Sequence, residues 1–217
     1  MNDTKAKLLD AAAGTLRDVG IAGLSARTIA TTAGVNQALI FYHFKTVAEL
    51  VVEATKQAVD ESLGYYQSEF ATVGSLGELL ALGRRLHDRE RERGNVQMMA
   101  QLMAGAQQDE SLAEAARYAL HTWSAEIELV VRRVLAGSPL ELIADPSGLA
   151  RAVSASFIGL ELYEGVDPAA AHGALDALEQ LGVLVEVMDD LGPVTRRALQ
   201  SKVRRSRRGA GKSDTTV

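Results

Sequence analysis

Residues 24–46 read Leu24-Ser25-Ala26-Arg27-Thr28-Ile29-Ala30-Thr31-Thr32-Ala33-Gly34-Val35-Asn36-Gln37-Ala38-Leu39-Ile40-Phe41-Tyr42-His43-Phe44-Lys45-Thr46, and the order of small, apolar and turn residues in this stretch decides the fold. Ser25 is placed to cap a short helix whose inner face is Ile29, Ala30 and Ala33, and Gly34 supplies a tight turn after it. A second short helix follows and buries Val35 and Ile40. Small Ala30 lets the two helices approach, Gly34 turns the chain, and Ile40 locks the second helix onto the first. This is the packing logic of a helix-turn-helix. Upstream, Leu8, Leu9, Ala12, Leu16 and Val19 fall at three- and four-residue spacings, as one face of a helix does. With Leu24 and Phe44 they close a compact three-helix unit.

A helical hairpin in an ordinary core would explain that apolar spacing. It would leave idle Asn36, Gln37, Tyr42, His43 and Lys45, gathered on and just after one short helix. These side chains donate and accept the hydrogen bonds that phosphates and base edges offer. The segment therefore reads as a DNA-binding unit.

Helix signals continue through the rest of the chain. Capping boxes stand at Thr46-x-x-Glu49, Ser75-x-x-Glu78 and Ser111-x-x-Glu114, each able to satisfy amides at a helix start. Asp145-Pro146 and Asp167-Pro168 pair a capping acid with a proline at the first helical position. Gly20, Gly23, Gly34, Gly74, Gly94 and Gly137 fall at the breaks, where left-handed backbone angles are expected. The spacing predicts about nine helices, near 4–19, 26–33, 37–43, 47–69, 76–93, 95–107, 112–136, 146–164 and 168–191. No stretch alternates as a strand requires, so the expected class is all-α. Three parts are expected: a helix-turn-helix DNA-binding domain over 1–46, a larger helical domain over 47–195, and a basic tail without a fixed fold over 196–217.

Composition narrows the function further. The 217 residues are 47% apolar and 24% charged with mean hydropathy +0.01, the profile of a soluble globular chain of one or two domains. No apolar run approaches the roughly 18 residues of a spanning helix. The start, Met1 to Lys7 with an acid at Asp3, does not resemble a secretory signal. A cytoplasmic protein with no membrane partner is expected. There is no cysteine, which removes disulfides, thiol nucleophiles and Cys-bearing metal sites. The four histidines, His43, His87, His121 and His172, form no metal-ligand spacing, and the last three read as surface or structural residues. No nucleophile, base and orienter stand together. Neither an enzyme nor a cofactor is expected.

The net charge of −5 is unevenly spread. Residues 1–45 hold five bases (Lys5, Lys7, Arg17, Arg27, Lys45) against three acids (Asp3, Asp10, Asp18). Residues 46–195 hold 10 bases against 24 acids, and 196–212 hold eight bases and no acid. Nucleic acid would be repelled by the middle of the chain, so contact has to come from its ends.

Residues 5–52 resemble the amino-terminal domain of TetR-family transcriptional regulators. The matching text is Leu8-Leu9-Asp10-Ala11-Ala12, Gly20, Arg27-Thr28-Ile29-Ala30, Ala33-Gly34-Val35, Phe41-Tyr42-His43-Phe44-Lys45 and Glu49-Leu50. The resemblance implies that Arg27 and Thr28 contact the duplex beside the recognition helix. It implies that Asn36, Gln37 and Ala38 lead that helix into the major groove, and that Tyr42, His43 and Lys45 grip phosphates. Thr46 would cap the fourth helix and present its amide end to a phosphate. Ala38 and Leu39 stand where many relatives carry Gly and Thr, and Val47 where many carry Lys. Leu39 either touches a thymine methyl or packs internally.

In the larger part, Met98, Met99, Leu102 and Met103, with Tyr118, His121, Trp123 and Ile127, either line an apolar pocket or form plain core. The resemblance adds weight to a pocket for a small-molecule effector. Leu149, Val153, Phe157 and Leu160 on one helix, and Leu175, Leu178, Leu181, Val185 and Met188 on the next, fit a monomer core or a two-fold interface. The resemblance implies the interface, with Val153, Phe157, Leu160, Leu178, Leu181 and Val185 in it. The basic tail, Lys202, Arg204, Arg205, Arg207, Arg208 and Lys212, lies outside the family pattern and either aids solubility or adds nonspecific DNA affinity. The expected whole is a homodimeric repressor, released from a pseudo-palindromic double-stranded operator by a small molecule. The rival is a helical interaction protein without sequence-specific DNA binding.

Overall fold

The computed structural model describes residues 3–137, 141, 144–189 and 201, and the described residues contain helices and no strand. In order they are α1 (Asp3–Val19), α2 (Ala26–Ala33), α3 (Ala38–His43), α4 (Val47–Thr72), α5 (Leu76–Glu92), α6 (Asn95–Gly105), α7 (Glu110–Leu135), α8 (Pro146–Glu164) and α9 (Pro168–Asp189). A 3-10 turn, Ile21–Gly23, joins α1 to α2 and has no counterpart in the sequence reading. Leu191, the expected end of the last helix, lies outside the described residues, as do Gly192 and Pro193, the side chains of Leu181, Val185 and Met188, and every tail residue except Ser201.

Side-chain caps fix most helix starts. Ser25 and Thr28 form a reciprocal box at α2. At α4 the Thr46 hydroxyl accepts from the Glu49 amide at 3.0 Å, while the Glu49 carboxylate takes the Lys45 amide at 3.2 Å. At α5 Ser75 accepts from Glu78 and Glu78 takes the Gly74 amide. In both cases the glutamate reaches one residue further back than a simple box predicts. Asp145 and Asp167 cap α8 and α9 as expected, accepting from Gly148 at 2.9 Å and Ala170 at 3.0 Å.

The expected box at Ser111 is not formed. Asp109 caps α7 instead, accepting from the Ser111 and Leu112 amides at 2.8 and 3.2 Å. A carboxylate meets the positive helix end with full charge, and Glu114 turns away to pair with Lys56 on α4 at 2.8 Å. Of the six break glycines, Gly20, Gly34, Gly94 and Gly137 have positive φ; Gly23 and Gly74 do not. Gly23 belongs to the 3-10 turn, and the bend at Gly74 is made with ordinary angles.

Buried side chains form three cores. The first gathers Leu8, Leu9 and Ala12 of α1, Ile29 and Ala30 of α2, Ile40 and Phe44, and extends to Leu50 and Ala54 of α4. Val19, expected in this core, is 55% exposed; it lies at the last turn of α1, beyond the reach of α2. The second core is a seam between the two ends of the molecule, built from Leu16 of α1, Val51 and Val52 of α4, Met98 and Leu102 of α6, and Leu112, Ala115 and Ala116 of α7. The third occupies the body between α4, α5, α7 and α8. Arg133 of α7 closes the far end of α4 by donating to the Phe70 and Val73 carbonyls at 2.7 and 2.9 Å.

Candidate nucleic-acid interface and the cavity behind it

α2 and α3 are held at their turn by Gly34, whose φ of 65° puts it in the left-handed region that side chains with a Cβ avoid. Its amide bonds back to Thr31, and the Val35 amide reaches the Ala30 carbonyl at 3.0 Å. α3 is only six residues long and cannot be stable by itself. Ile40 and Phe44, 0% and 1% exposed, pin it to α1 and α4. With position 40 turned inward, helical geometry turns 38, 41 and 42 outward, and Lys45 follows just beyond the helix end. Ala38, Phe41, Tyr42 and Lys45 are all exposed, with Tyr42 80% accessible.

Arg27 of α2 is exposed beside this face, as are Asn36 and Gln37 at the start of α3. Among the described residues neither Arg27 nor Lys45 makes an ion pair, whereas Lys5 bridges to Glu53 at 2.8 Å and Lys7 to Asp3 at 2.6 Å. Two uncommitted cations thus flank an outward helix face, the arrangement that phosphate binding uses.

Several expected contact residues have internal duties. The Thr28 hydroxyl accepts from the Ser25 amide at 2.9 Å and lies 2.8 Å from the Gly23 carbonyl, so it braces the start of α2. Asn36 Oδ1 accepts from the Ala38 amide at 2.8 Å, which leaves its Nδ2 group to reach outward. Thr46 caps α4, and the Glu49 carboxylate shares that helix end. Leu39 is half-buried against the amino-terminal core. His43 stands edge-on to Tyr42, with ring centres 4.9 Å apart. Phe41, 52% exposed, was given no contact role in the sequence reading, because an aromatic between Ile40 and Phe44 counts as core until the helix phase is fixed.

Behind the seam, α4, α5, α6, α7 and α8 line a half-open cavity of about 150 Å³. Trp123, Phe70 and Phe157 give it an aromatic wall, with Val59, Leu86 and Met98 among its aliphatic neighbours. Met98 and Trp123 were expected there. Leu102 and Met103 were expected too, but they pack in the seam. Tyr118 reaches outward to donate to Asp60 at 2.7 Å, and His121 is exposed. The cavity face of α7 runs through Ala119, Trp123 and Ile127, and His121 falls on the opposite side of that helix.

Polar groups break the apolar lining at two places. His87, 5% exposed, bonds through Nε2 to Glu164 at 2.6 Å, and its Nδ1 lies 3.9 Å from Glu161. Glu161 raises the His87 pKa most; burial opposes it and Glu164 adds to it, leaving the imidazole above its ordinary value. Burial alone would push the Glu164 carboxyl up, but His87 and the Arg91 ion pair outweigh it and hold it low. His87 was passed over in the sequence as a bland histidine. Its partners lie 74 and 77 positions away, where no local spacing shows them.

The second polar group links the cavity to the amino-terminal domain. Glu90, on the cavity wall, accepts from Tyr66 at 2.6 Å, from Arg93 at 3.0 Å and from Asn95 Nδ2 at 2.7 Å. Burial opposes ionisation of Glu90, and Tyr66, Asn95, the neighbouring Ser62 and Arg93 together more than offset it, so its pKa is lowered. Asn95, which also lines the cavity, accepts at its Oδ1 from Arg17 of α1 at 3.1 Å. Beside this link, Ile21 lies against the bare backbone of Gly105 at the end of α6, where an added Cβ would come within 2.3 Å of Ile21 Cδ1.

Val153 and Phe157 line the cavity and Leu160 is buried, so three residues expected at a two-fold interface face inward. Leu178 is half-buried, and nothing is described of the Leu181 and Val185 side chains. The outward face of α8 instead carries Ala152, Ala155, Gly159, Leu162 and Tyr163, with Leu162 49% and Tyr163 62% exposed. Among the described residues no cluster of metal-binding side chains occurs, and no helix is long and apolar enough to cross a membrane.

Residues 8–54 match the sequence model of the bacterial regulatory proteins, tetR family. An uncharacterised HTH-type transcriptional regulator of Mycobacterium tuberculosis is 29% identical over 131 residues, covering 60% of this chain and 67% of that protein. Among solved structures, a protein from Rhodococcus sp. described as a TetR-family transcriptional regulator superimposes with TM-score 0.69 at 24% identity, covering 88% of this chain and 100% of the other. The transcriptional regulator FadR from Bacillus subtilis, in complex with stearoyl-CoA, superimposes with TM-score 0.66 at 14% identity, over 80% of this chain and 96% of that one. Residues 8–54 are thus the helix-turn-helix domain of a tetR-family DNA-binding transcriptional regulator, and the described helical body that follows shares the fold of the solved regulators on which it superimposes.

Proposed function

We propose that this regulator is a homodimeric repressor, released from a pseudo-palindromic operator by a small molecule held in the body. The observation that carries the reading is the path from the cavity to the DNA-binding end: Glu90 and Asn95 line the cavity, and Asn95 bonds to Arg17 of α1. A ligand that moves either residue acts on the helix against which α2 and α3 pack. That is thermodynamic linkage between two distinct sites, and it runs equally in both directions.

DNA recognition rests on the outward face of α3 and on Arg27. In this reading Gln37, Ala38 and Asn36 enter the major groove, Tyr42, His43 and Lys45 meet phosphates, and Thr46 and Thr28 brace the helices that present them. Six residues read too few base pairs for selectivity. Two copies, with recognition helices about 34 Å apart, read two successive grooves. The exposed α8 face around Leu162 and Tyr163 supports pairing there, since an apolar patch left wet favours a partner. The division of labour is a DNA-binding part over 1–46 and a ligand-binding and dimerising body over 47–195, acting on the chromosome in the cytoplasm.

A mobility-shift titration of the DNA upstream of the protein's own gene, against unrelated DNA of equal length, tests the reading. Preference for the upstream fragment, with two protomers per site, is the expected result. Equal affinity for both fragments refutes operator binding and favours a helical interaction protein.

A further inference from the structure

Two buried polar atoms on the cavity, Ser62 Oγ and His87 Nδ1, have no partner at full hydrogen-bond distance; Glu90 is the carboxylate beside Ser62 and Glu161 the one beside His87. Both residues are 5% exposed and both line the cavity. Buried polar atoms in native proteins nearly always have partners, and an orphan calls for an explanation. Two such atoms on one largely apolar cavity point to a ligand atom that completes them. We propose that the cavity takes a neutral molecule of single-ring size carrying one hydroxyl group, a phenol or a compact alcohol, which Ser62 and His87 bind through that hydroxyl. This rests on the effector reading above and names the chemical class of the effector.

Size sets the first bound. An apolar cavity of about 150 Å³ is known to accept benzene, and this cavity has that volume. Trp123, Phe70 and Phe157 supply the aromatic faces and edges beside which a ring packs.

Charge sets the second bound. His87 stands between Glu161 and Glu164, and Arg91 pairs with Glu164, so the carboxylates on this side of the cavity already have basic partners. Glu90 is matched by Arg93 and by the Asn95 and Tyr66 donors. An anionic ligand would meet Glu90 and Glu161 with no cation left to receive it. A cationic ligand would meet carboxylates already paired. Desolvating either ion without a partner is costly.

The donor pattern sets the third. His87 Nε2 is committed to Glu164, and Nδ1 has no partner within bonding range; Glu161 stands 3.9 Å off. A hydroxyl both donates and accepts, so one such group can bond Nδ1 in either form of the imidazole and reach Ser62 Oγ as well. A ketone or ether can only accept.

Trp123 is the chain's single tryptophan and sits on the cavity wall, so its fluorescence reports occupancy directly. The full-length protein is titrated with 4-methylphenol, toluene, 4-methylbenzoate and 4-methylbenzylamine. The expected result is saturable quenching by 4-methylphenol with affinity about tenfold above that of toluene, the gain of one well-made hydrogen bond, and binding of both ions weaker than toluene. Ser62→Ala lowers the 4-methylphenol affinity about three- to tenfold and leaves toluene unchanged, which also reports an intact cavity. Equal affinity for 4-methylphenol and toluene, tightest binding of either ion, or saturation by none of the four overturns the proposal. Saturation by 4-methylphenol with operator affinity unchanged upholds the ligand class and refutes release from DNA, so the two failures are distinct.

Discussion

Replacing Asn95 by alanine cuts the link between the cavity wall and α1 at its centre. The Asn95 amide makes two charge-assisted bonds, to Glu90 at 2.7 Å and from Arg17 at 3.1 Å. Bonds of this kind are worth about 1.5–3 kcal/mol each when well shielded. Arg17 is half-buried, so its bond belongs at or below the lower end of that range. Arg17→Ala also loses the packing of its stem, whose Cδ lies 3.4 Å from where a Gly94 Cβ would stand. That loss is the same with or without Asn95. A double-mutant cycle isolates the shared term, and about 1 kcal/mol is expected for it. In a chain of this length each kcal/mol moves the melting midpoint about 2–4 °C, so losing about 1 kcal/mol at Arg17 and about 1.5–3 kcal/mol at Glu90 lowers the Tm of Asn95→Ala by about 5–16 °C. The assay is urea unfolding of the parent, Arg17→Ala, Asn95→Ala and the double variant. A coupling below about 0.3 kcal/mol, the level at which independent sites add, refutes the argument that this pair transmits anything between the two ends.

Lys45→Ala removes one phosphate contact from each protomer and reduces the log–log salt slope of operator binding by about 0.9 per contact, measured by fluorescence anisotropy; an unchanged slope takes Lys45 out of the interface. The folded protein holds the His87 proton more tightly than the unfolded chain. The stability this gives is therefore full below about pH 6.5 and is lost as pH rises through the raised pKa. Denaturant melts across that interval show the slope, and His87→Gln flattens it unless the reasoning is wrong. Leu162→Arg on the outer face of α8 converts a dimer to a monomer in sedimentation at little cost in folding stability, because Leu162 is half exposed in the protomer; a persistent dimer places the interface elsewhere.

The amino-terminal architecture was legible because its determinants are local. A capping serine, a glycine at a left-handed position and apolar residues at three- and four-residue spacings fix α1 to α3 without reference to the rest of the chain. Helix starts were legible for the same reason, and the one that was misplaced, at α7, turned on a competition between Asp109 and Ser111 two residues apart. Phe41 shows the limit of composition: its exposure follows from the phase fixed by Ile40 and Phe44, a signal that was present in the sequence. The cavity was only partly readable. Met98 and Trp123 stood out by type, but Tyr118 and His121 were grouped with them without regard to the angle each makes around α7. His87, Glu164, Asn95 and Arg17 could not be joined from the sequence at all. Their meetings depend on how α1, α5, α6 and α8 cross, and no periodicity within one helix encodes a crossing.

The first core does not end where the recognition helix ends. Leu50 and Ala54 of α4 close it from below, and the family match also runs to residue 54. The segment that can be exchanged between regulators as a working reader therefore includes about the first two turns of α4. A chimera joined after Ala54 carries its own floor into a foreign body. One joined at Thr46 leaves Ile29, Ile40 and Phe44 facing whatever helix the new host supplies, and its reader is only as good as that accident of fit.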